Sequence, residues 1–137
     1  MALILPSASE KTFLDFALGV TVPGNQTLKL FVNNYPPDDT TVAGSLTEMS
    51  TLGYAAKTLT KTSWVTVAGS TGNPATSTYA QQTWTFTAGT LVTVYGYYII
   101  DVTSGLLIWV ELFSSSKAVQ NTGDQILITP TITMSRT

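Results

Sequence analysis

Carboxylates are the only side chains in this chain with the chemistry for general acid–base catalysis, because the sequence contains no His and no Cys. It therefore lacks the commonest general base, the commonest transition-metal ligand and any thiol nucleophile. Asp101 and Glu111 lie on one predicted hairpin, and a glycosidase needs two carboxyl groups about 5–10 Å apart in a cleft. No flanking feature indicates a cleft, and Asp101 is explained more simply as a turn residue. We expect no enzymatic activity, and an acid-pair hydrolase stays only as a formal alternative.

The other polar residues do not form a recognisable site either. Asp38 and Asp39 are adjacent, so their side chains diverge in an extended loop, and we interpret them as a solvated turn with Asx-type hydrogen bonds. The acidic residues are too dispersed for a local calcium cage, and no Ser lies in a G-x-S-x-G motif. We expect neither a metal nor a cofactor.

The charge of the chain argues against two classes of partner. Six Lys and Arg against eight Asp and Glu give a formal net charge of -2, which is no electrostatic footprint for nucleic acid. No apolar run approaches the 18 or more residues that span a bilayer. Only 10% of the residues are charged, against roughly 25% in typical soluble domains.

Length and patterning predict one domain with a short arm in front of it. The 137 residues match a single domain of roughly 100–150 residues, which we place at residues 7–137. Met1–Pro6 is an apolar arm that either tucks against its own domain or docks onto a neighbour. Because it is short and has no basic residues before it, it does not resemble a secretory signal, and we expect maturation in the cytoplasm.

One α-helix is predicted at about residues 8–18. Ser7 and Glu10 have the spacing of a capping box, and Gly19 is a plausible C-terminal stop. The apolar face of this helix consists of Phe13, Phe16, Ala17 and Val20.

From Thr27 onward the hydrophobic period changes to two, which predicts strands. Residues 34–41 and 70–77 are predicted loops, and Pro130 indicates an edge position for the last strand. The number and spacing of the strands predict a mainly β, antiparallel sandwich or jelly roll with one N-terminal helix. The predicted strands are 28–33, 45–48, 57–61, 64–67, 82–87, 91–101, 106–113 and 125–133.

The hairpin formed by residues 91–101 and 106–113 is apolar or aromatic on both faces, whereas a strand with one wet face should alternate. Two explanations stay open: the N-terminal helix or a loop covers the second face, or a partner subunit does, since Tyr and Trp are favoured at interface cores. The residues predicted for protein contacts are Leu3, Ile4, Leu5, Tyr95, Tyr97, Trp109 and Phe113.

Several other aromatic residues have two interpretations. Trp64, Trp84 and Tyr79 fill a sandwich core or line a groove that stacks against sugar. Together with Thr-rich strand faces, loop residues Tyr35, Tyr54 and Tyr79 support an alternative function, a module that recognises a surface glycan.

Four segments resemble small virion proteins of tailed bacteriophages and cyanophages: residues 28–35 (LKLFVNNY), 53–59 (GYAAKTL), 94–98 (VYGYY) and 121–126 (NTGDQI) followed by Thr129-Pro130. Among such proteins, the capsid decoration (cement) proteins are similar in size and composition. The resemblance implies a β-rich, non-enzymatic structural protein on the capsid surface of the virion, bound to the major capsid protein and stabilising the assembled head. Self-association is expected, with a homotrimer and a monomer both compatible with the sequence.

Overall fold

The computed structural model describes residues 3–4 and 6–134. Within them the chain is mainly β, with one helix, α1 (Ser7–Ala17), as the sequence predicted. The ten strands are β1 (Leu3–Ile4), β2 (Gln26–Phe31), β3 (Lys57–Leu59), β4 (Val65–Val67), β5 (Ala75–Thr78), β6 (Gln82–Thr85), β7 (Val92–Asp101), β8 (Leu107–Val119), β9 (Gln125–Ile128) and β10 (Thr131–Met134).

The strands form three antiparallel sheets. The largest has the order β1-β8-β7-β2-β3, a second has the order β10-β5-β4, and β6 pairs with β9 alone. Buried residues from the five-stranded sheet and from β6 and β9 share one hydrophobic cluster, against which Ile132 of β10 also packs. The packing is therefore sandwich-like, while the strand order does not identify a jelly roll.

The predicted hairpin is the centre of the molecule. β7 and β8 pair from Val92–Val119 to Ile100–Leu107, and the turn between them contains Gly105 in the left-handed region at φ 70°. The ladder is interrupted where only Tyr95 separates Val94 from Gly96, whereas residues 113–116 separate their partners Leu112 and Lys117. This four-against-one bulge, residues 113–116, bends β8 away from its neighbour.

One face of the hairpin packs into the main core. Ile99 and Trp109 are paired across the hairpin, and both are buried. Trp84 of β6 and Ile126 of β9 belong to the same cluster, and Phe13 of α1 packs against it. The smaller sheets and the helix thus cover this face.

The other face of the hairpin is covered by the segment that links β2 to β3. Leu46 of this linker is buried with Phe31, Tyr98 and Val110. A salt bridge of 2.8 Å between Lys29 and Glu48 fastens the linker to the sheet. The first of the two explanations, a cover from the same chain, is therefore confirmed, and this face needs no partner subunit to exclude water.

The helix begins without the predicted capping box, so that prediction is wrong. Pro6 is the N-cap and no side chain caps the end. Ser7 is already helical, and its backbone N–H donates to the carbonyl of Asp39 at 2.8 Å, so a neighbouring loop satisfies a donor that the box would have satisfied. The predicted stop is confirmed: Gly19 has φ 70°, and Val20 N–H donates to the Asp15 carbonyl as in a Schellman motif.

Three predicted segments differ from the structure. Residues 70–77 were predicted as a loop, but 75–78 form β5, whose Thr and Ser side chains give no apolar alternation. Residues 45–48 were predicted as a strand, but Ala43–Ser45 is a 3-10 turn and Glu48 makes only an isolated bridge with Phe31. Pro130 separates β9 from β10, which belong to different sheets, and β10 is an edge strand as predicted.

Gly96 lies in β7 where its two neighbours in the sheet, β8 and β2, approach closely, and this generates a stability prediction. A Cβ at position 96 would overlap the Glu111 carbonyl oxygen and lie 2.6 Å from the Phe31 ring. We expect Gly96→Ala to lower the free energy of unfolding by about 3 kcal/mol, the upper part of the range for overpacked cores. Urea denaturation measures this change.

Gly44→Ala is the matched control, because a Cβ there has no neighbour within 4 Å. It should change the free energy of unfolding by less than about 1 kcal/mol. Equal effects of the two substitutions would contradict the close packing at Gly96.

Candidate interaction surface

The structure separates the residues predicted for protein contacts into three groups. Tyr97 and Trp109 are 4% and 2% exposed, so their side chains belong to the core of their own chain and are not available at its surface. Tyr95 and Phe113 are half-buried and pack on opposite hydrophobic clusters. Of these four residues, only Tyr95 and Phe113 retain surface that another molecule could contact.

The arm residues pair with their own chain. Leu3 and Ile4 form β1 and pair with Glu111 and Val110 of β8. At these two positions the backbone of the arm therefore docks onto its own domain, one of the two alternatives left open. Leu5 lies outside the described residues.

Tyr97 and Glu111 form a buried polar pair at the edge of the core. The Tyr97 hydroxyl donates a hydrogen bond to the Glu111 carboxylate. Burial raises the pKa of Tyr97 well above its usual range, and the hydrogen bond to Glu111 and its negative charge raise it further. The Tyr97 phenol therefore stays protonated and serves as a fixed hydrogen-bond donor. The indole N–H of the neighbouring core residue Trp109 has no hydrogen-bond partner among the described residues.

Asp101 fastens the hairpin turn, as its position next to the turn predicted. One carboxylate oxygen accepts from Gly24 N–H at 3.0 Å, and the other accepts from the N–H and hydroxyl of Ser104 at 2.8 and 2.9 Å. Glu111 is paired with Tyr97, which lies four residues from Asp101 along β7. At strand spacing, the Cα atoms of Tyr97 and Asp101 are roughly 13 Å apart. The Glu111 carboxylate accepts from Tyr97, and the Asp101 carboxylate accepts from Gly24 and Ser104. No shared contact therefore brings the two carboxylates together.

The adjacent acids of the first loop form a turn. Asp38 accepts hydrogen bonds from the N–H and hydroxyl of Thr40 at 2.9 and 2.8 Å, and these bonds lower the pKa of Asp38. Asp39 offers only its backbone carbonyl to the helix. The described residues hold no cluster of three or more acidic side chains suited to a metal ion.

The aromatic residues considered for sugar stacking are taken up by internal contacts. Tyr54 stacks on Trp84 with centroids 6.3 Å apart, and Tyr79 contacts Trp64 edge-on at 5.3 Å. The Tyr54 hydroxyl is bonded to Leu30 N–H and to Glu48. Tyr79 is therefore a core residue, Tyr54 is half-buried against the core, and Tyr35 packs against the cluster under the linker.

A groove of about 730 Å³ lies between β8, β9 and β10. Phe113 and Ser114 of the bulge line it, and so do the Tyr97–Glu111 pair and Lys117. Its volume falls within the roughly 300–1,000 Å³ typical of ligand sites. The rest of its lining comes from residues 125–129, Thr131 and Thr133.

A patch of exposed aliphatic residues lies at the end of α1. We define the helix patch as Leu14, Leu18, Val20 and Val22, which are 62%, 76%, 67% and 71% exposed. Four large aliphatic side chains within one short segment form the kind of apolar surface that marks a contact with protein or membrane. The predicted position of Val20 on the buried face of the helix is wrong. The i, i+4 spacing of Leu14 and Leu18 is the sequence signal that marks a second, exposed apolar row.

Comparison with known proteins adds no relative from which a role could be transferred: no protein-family model and no curated protein matches this chain. In the described part of the chain, α1 is neither long nor apolar enough to cross a bilayer.

The Asp101 contacts generate a prediction that separates a structural carboxylate from a catalytic one. Asp101→Ala removes a buried acceptor that binds the N–H groups of Gly24 and Ser104 and the Ser104 hydroxyl, so we expect the free energy of unfolding to fall by about 1–3 kcal/mol. Asp39→Ala is the control and should change it by less than about 0.5 kcal/mol. Chemical denaturation followed by Trp fluorescence measures both changes. Equal values would contradict the stabilising role of the Asp101 hydrogen bonds.

Proposed function

We propose that this chain is a non-enzymatic structural protein of a tailed-phage virion, a capsid decoration protein that binds the outside of the assembled head through the helix patch. The resemblance to small virion proteins supports the class of protein. The exposure of the helix patch carries the proposal, because it is an apolar contact surface on a chain whose core is otherwise closed.

The energetics of the patch suit a contact repeated many times over a shell. Fully burying an aliphatic side chain is worth about 1.5–3 kcal/mol. Four such side chains can therefore supply a useful fraction of the free energy of a standard interface, after the entropic cost of association is subtracted. Because the patch carries no charge, we expect its binding to depend only weakly on ionic strength.

The mechanism follows from mass action. A ligand that binds only the assembled state shifts the equilibrium towards that state by an amount set by its concentration and its dissociation constant. A decoration protein that recognises the joined surface of several capsid subunits therefore stabilises the head without any chemical step. A rigid fold is an advantage in this role, since little conformational entropy is lost on binding.

The proposal predicts saturable binding to heads assembled from the major capsid protein encoded with this chain. We expect Leu18→Glu to weaken that binding at least tenfold, because a carboxylate would be buried against an apolar surface. Co-sedimentation measures the binding, and the temperature at which heads rupture, measured by light scattering, reports stabilisation.

Leu91→Glu is the matched control, since Leu91 is 53% exposed and lies in the connection between β6 and β7. It should bind as the unmodified chain does. No saturable binding by the unmodified chain would refute the proposal, and equal loss in both variants would refute the role of the helix patch.

A second candidate function is that of a tail or head-fibre module that recognises a host surface glycan through the groove. The groove combines the aromatic ring of Phe113 with amide, hydroxyl and charged groups, a mixture that suits the apolar face and hydroxyl rim of a sugar. It replaces the tyrosine-lined loops as the surface on which this alternative depends.

Under this alternative, Phe113→Ala should abolish glycan-array signals, because it removes the stacking ring. Leu18→Glu should leave these signals unchanged. Both variants should be checked for an unaltered circular dichroism spectrum. An array without signals for the unmodified chain would remove this candidate.

A further inference from the structure

β4 is an edge strand with an apolar, open side. It pairs only with β5, and all three of its residues are exposed. Val65 and Val67 are 66% and 60% exposed and, two residues apart, lie on the same face of the sheet. Thr66 lies on the other face, where its hydroxyl is 3.0 Å from that of Ser77.

Apart from its shortness, three residues, this edge lacks the devices that normally prevent strand addition. Proteins usually protect an edge with a charge, a proline or a bulge. β4 contains none of these, and the sequence has no Asp, Glu, Lys or Arg between Lys61 and Asp101. The segment is therefore electrically neutral well beyond the strand itself.

We propose that β4 pairs antiparallel with β4 of a second copy of this chain, about a two-fold axis through Thr66. In this register Thr66 faces its own counterpart, and Val65 of each copy faces Val67 of the other. The pairing joins the two three-stranded sheets into one of six strands. It also brings four valines into one apolar cluster, and cross-strand pairs of this kind stabilise a sheet.

A second copy fits this edge better than a charged partner does. Val-Thr-Val is self-complementary about its central residue, as an isologous interface requires. A partner with an acidic or basic strand would bury that charge opposite a neutral one without compensation. Because β4 of each copy is used up in the pairing, this isologous contact closes at two copies and does not give a trimer.

The seam is short, so the dimer should be weak. Three paired residues and two exposed valines on each copy bury less than the roughly 1,200 Å² of a stable interface. We therefore expect a dissociation constant in the micromolar range or above. This inference does not depend on the proposed function, because the helix patch and the capsid take no part in it.

Sedimentation velocity of the full chain over a range of concentrations tests the dimer. We expect a reversible monomer–dimer equilibrium that Val67→Lys weakens at least tenfold, because two lysines would then enter the seam. Val22→Lys, which adds the same charge to an equally exposed valine of the helix patch, should leave the equilibrium unchanged.

A cysteine scan tests the register. Because the chain has no Cys, Thr66→Cys places its only thiol on the two-fold axis, where directly opposed Cβ atoms lie about 4.5–5.5 Å apart, near the spacing a disulfide needs. We expect rapid disulfide-linked dimers under mild oxidation, whereas Thr83→Cys on β6 should cross-link at least tenfold more slowly.

A chain that stays monomeric at the highest attainable concentration overturns the proposal, as does a trimer. Dimers that survive Val67→Lys, or equal cross-linking of the two cysteine variants, overturn it as well. Binding of Val67→Lys to phage heads would be unaffected in every case, so failure here is distinguishable from failure of the proposed function.

Discussion

A hairpin that is apolar on both faces is stable in water only as a middle layer, and the rest of this structure depends on that constraint. β7 and β8 place Ile99 and Trp109 on one side and Tyr98 and Val110 on the other. The smaller sheets and α1 cover the first side, and the linker between β2 and β3 covers the second. Gly96 shows how tightly the strands of the central sheet pack, since a single methyl group there would meet the β8 backbone and the Phe31 ring. The linker is fastened by the Lys29–Glu48 bridge and the Tyr54 hydroxyl, which explains how an irregular segment can serve as a wall.

Because the core is closed within one chain, recognition is left to exposed surfaces around it, which include the bulged part of β8. The aliphatic residues at the end of α1 project outward because Phe13 and Phe16 already fill the inward face of the helix. The Schellman end at Gly19 then turns the chain so that Val20 and Val22 follow on the surface. The groove beside the bulge and the neutral edge at β4 are separate surfaces. The molecule therefore has several exposed surfaces of different chemistry.

The sequence predicted the class of fold and the central hairpin, because β2 alternates clearly, β7 and β8 are long runs rich in β-branched and aromatic residues, and the turn at Gly105 has a clear signal. It did not predict β5, because the Thr and Ser residues of this strand give no alternation of apolar and polar side chains. The strand forms by pairing with β4 and β10. It misplaced the interface at Tyr97 and Trp109, because residue type alone cannot tell an aromatic anchor from a core residue when the cover comes from a distant linker. The role of Asp101 in the turn was predicted from its position, whereas its bond to Gly24 is a long-range contact that no local pattern encodes. The helix patch was missed because one apolar row was taken to be the whole amphipathic pattern.

The bulge of β8 has a consequence for how this chain can vary in length. Residues 113–116 stand opposite Tyr95 alone, and regular pairing resumes at Lys117. Adding or removing a serine there would not move any side chain of the flanking ladder to the opposite face. A single insertion within a regularly paired stretch of the hairpin would move every side chain beyond it to the opposite face of the sheet. Ser114, Ser115 and Ser116 are exposed, so this point in an otherwise unforgiving hairpin is where evolution, or an engineer seeking to display a peptide, could extend the chain at the least structural cost.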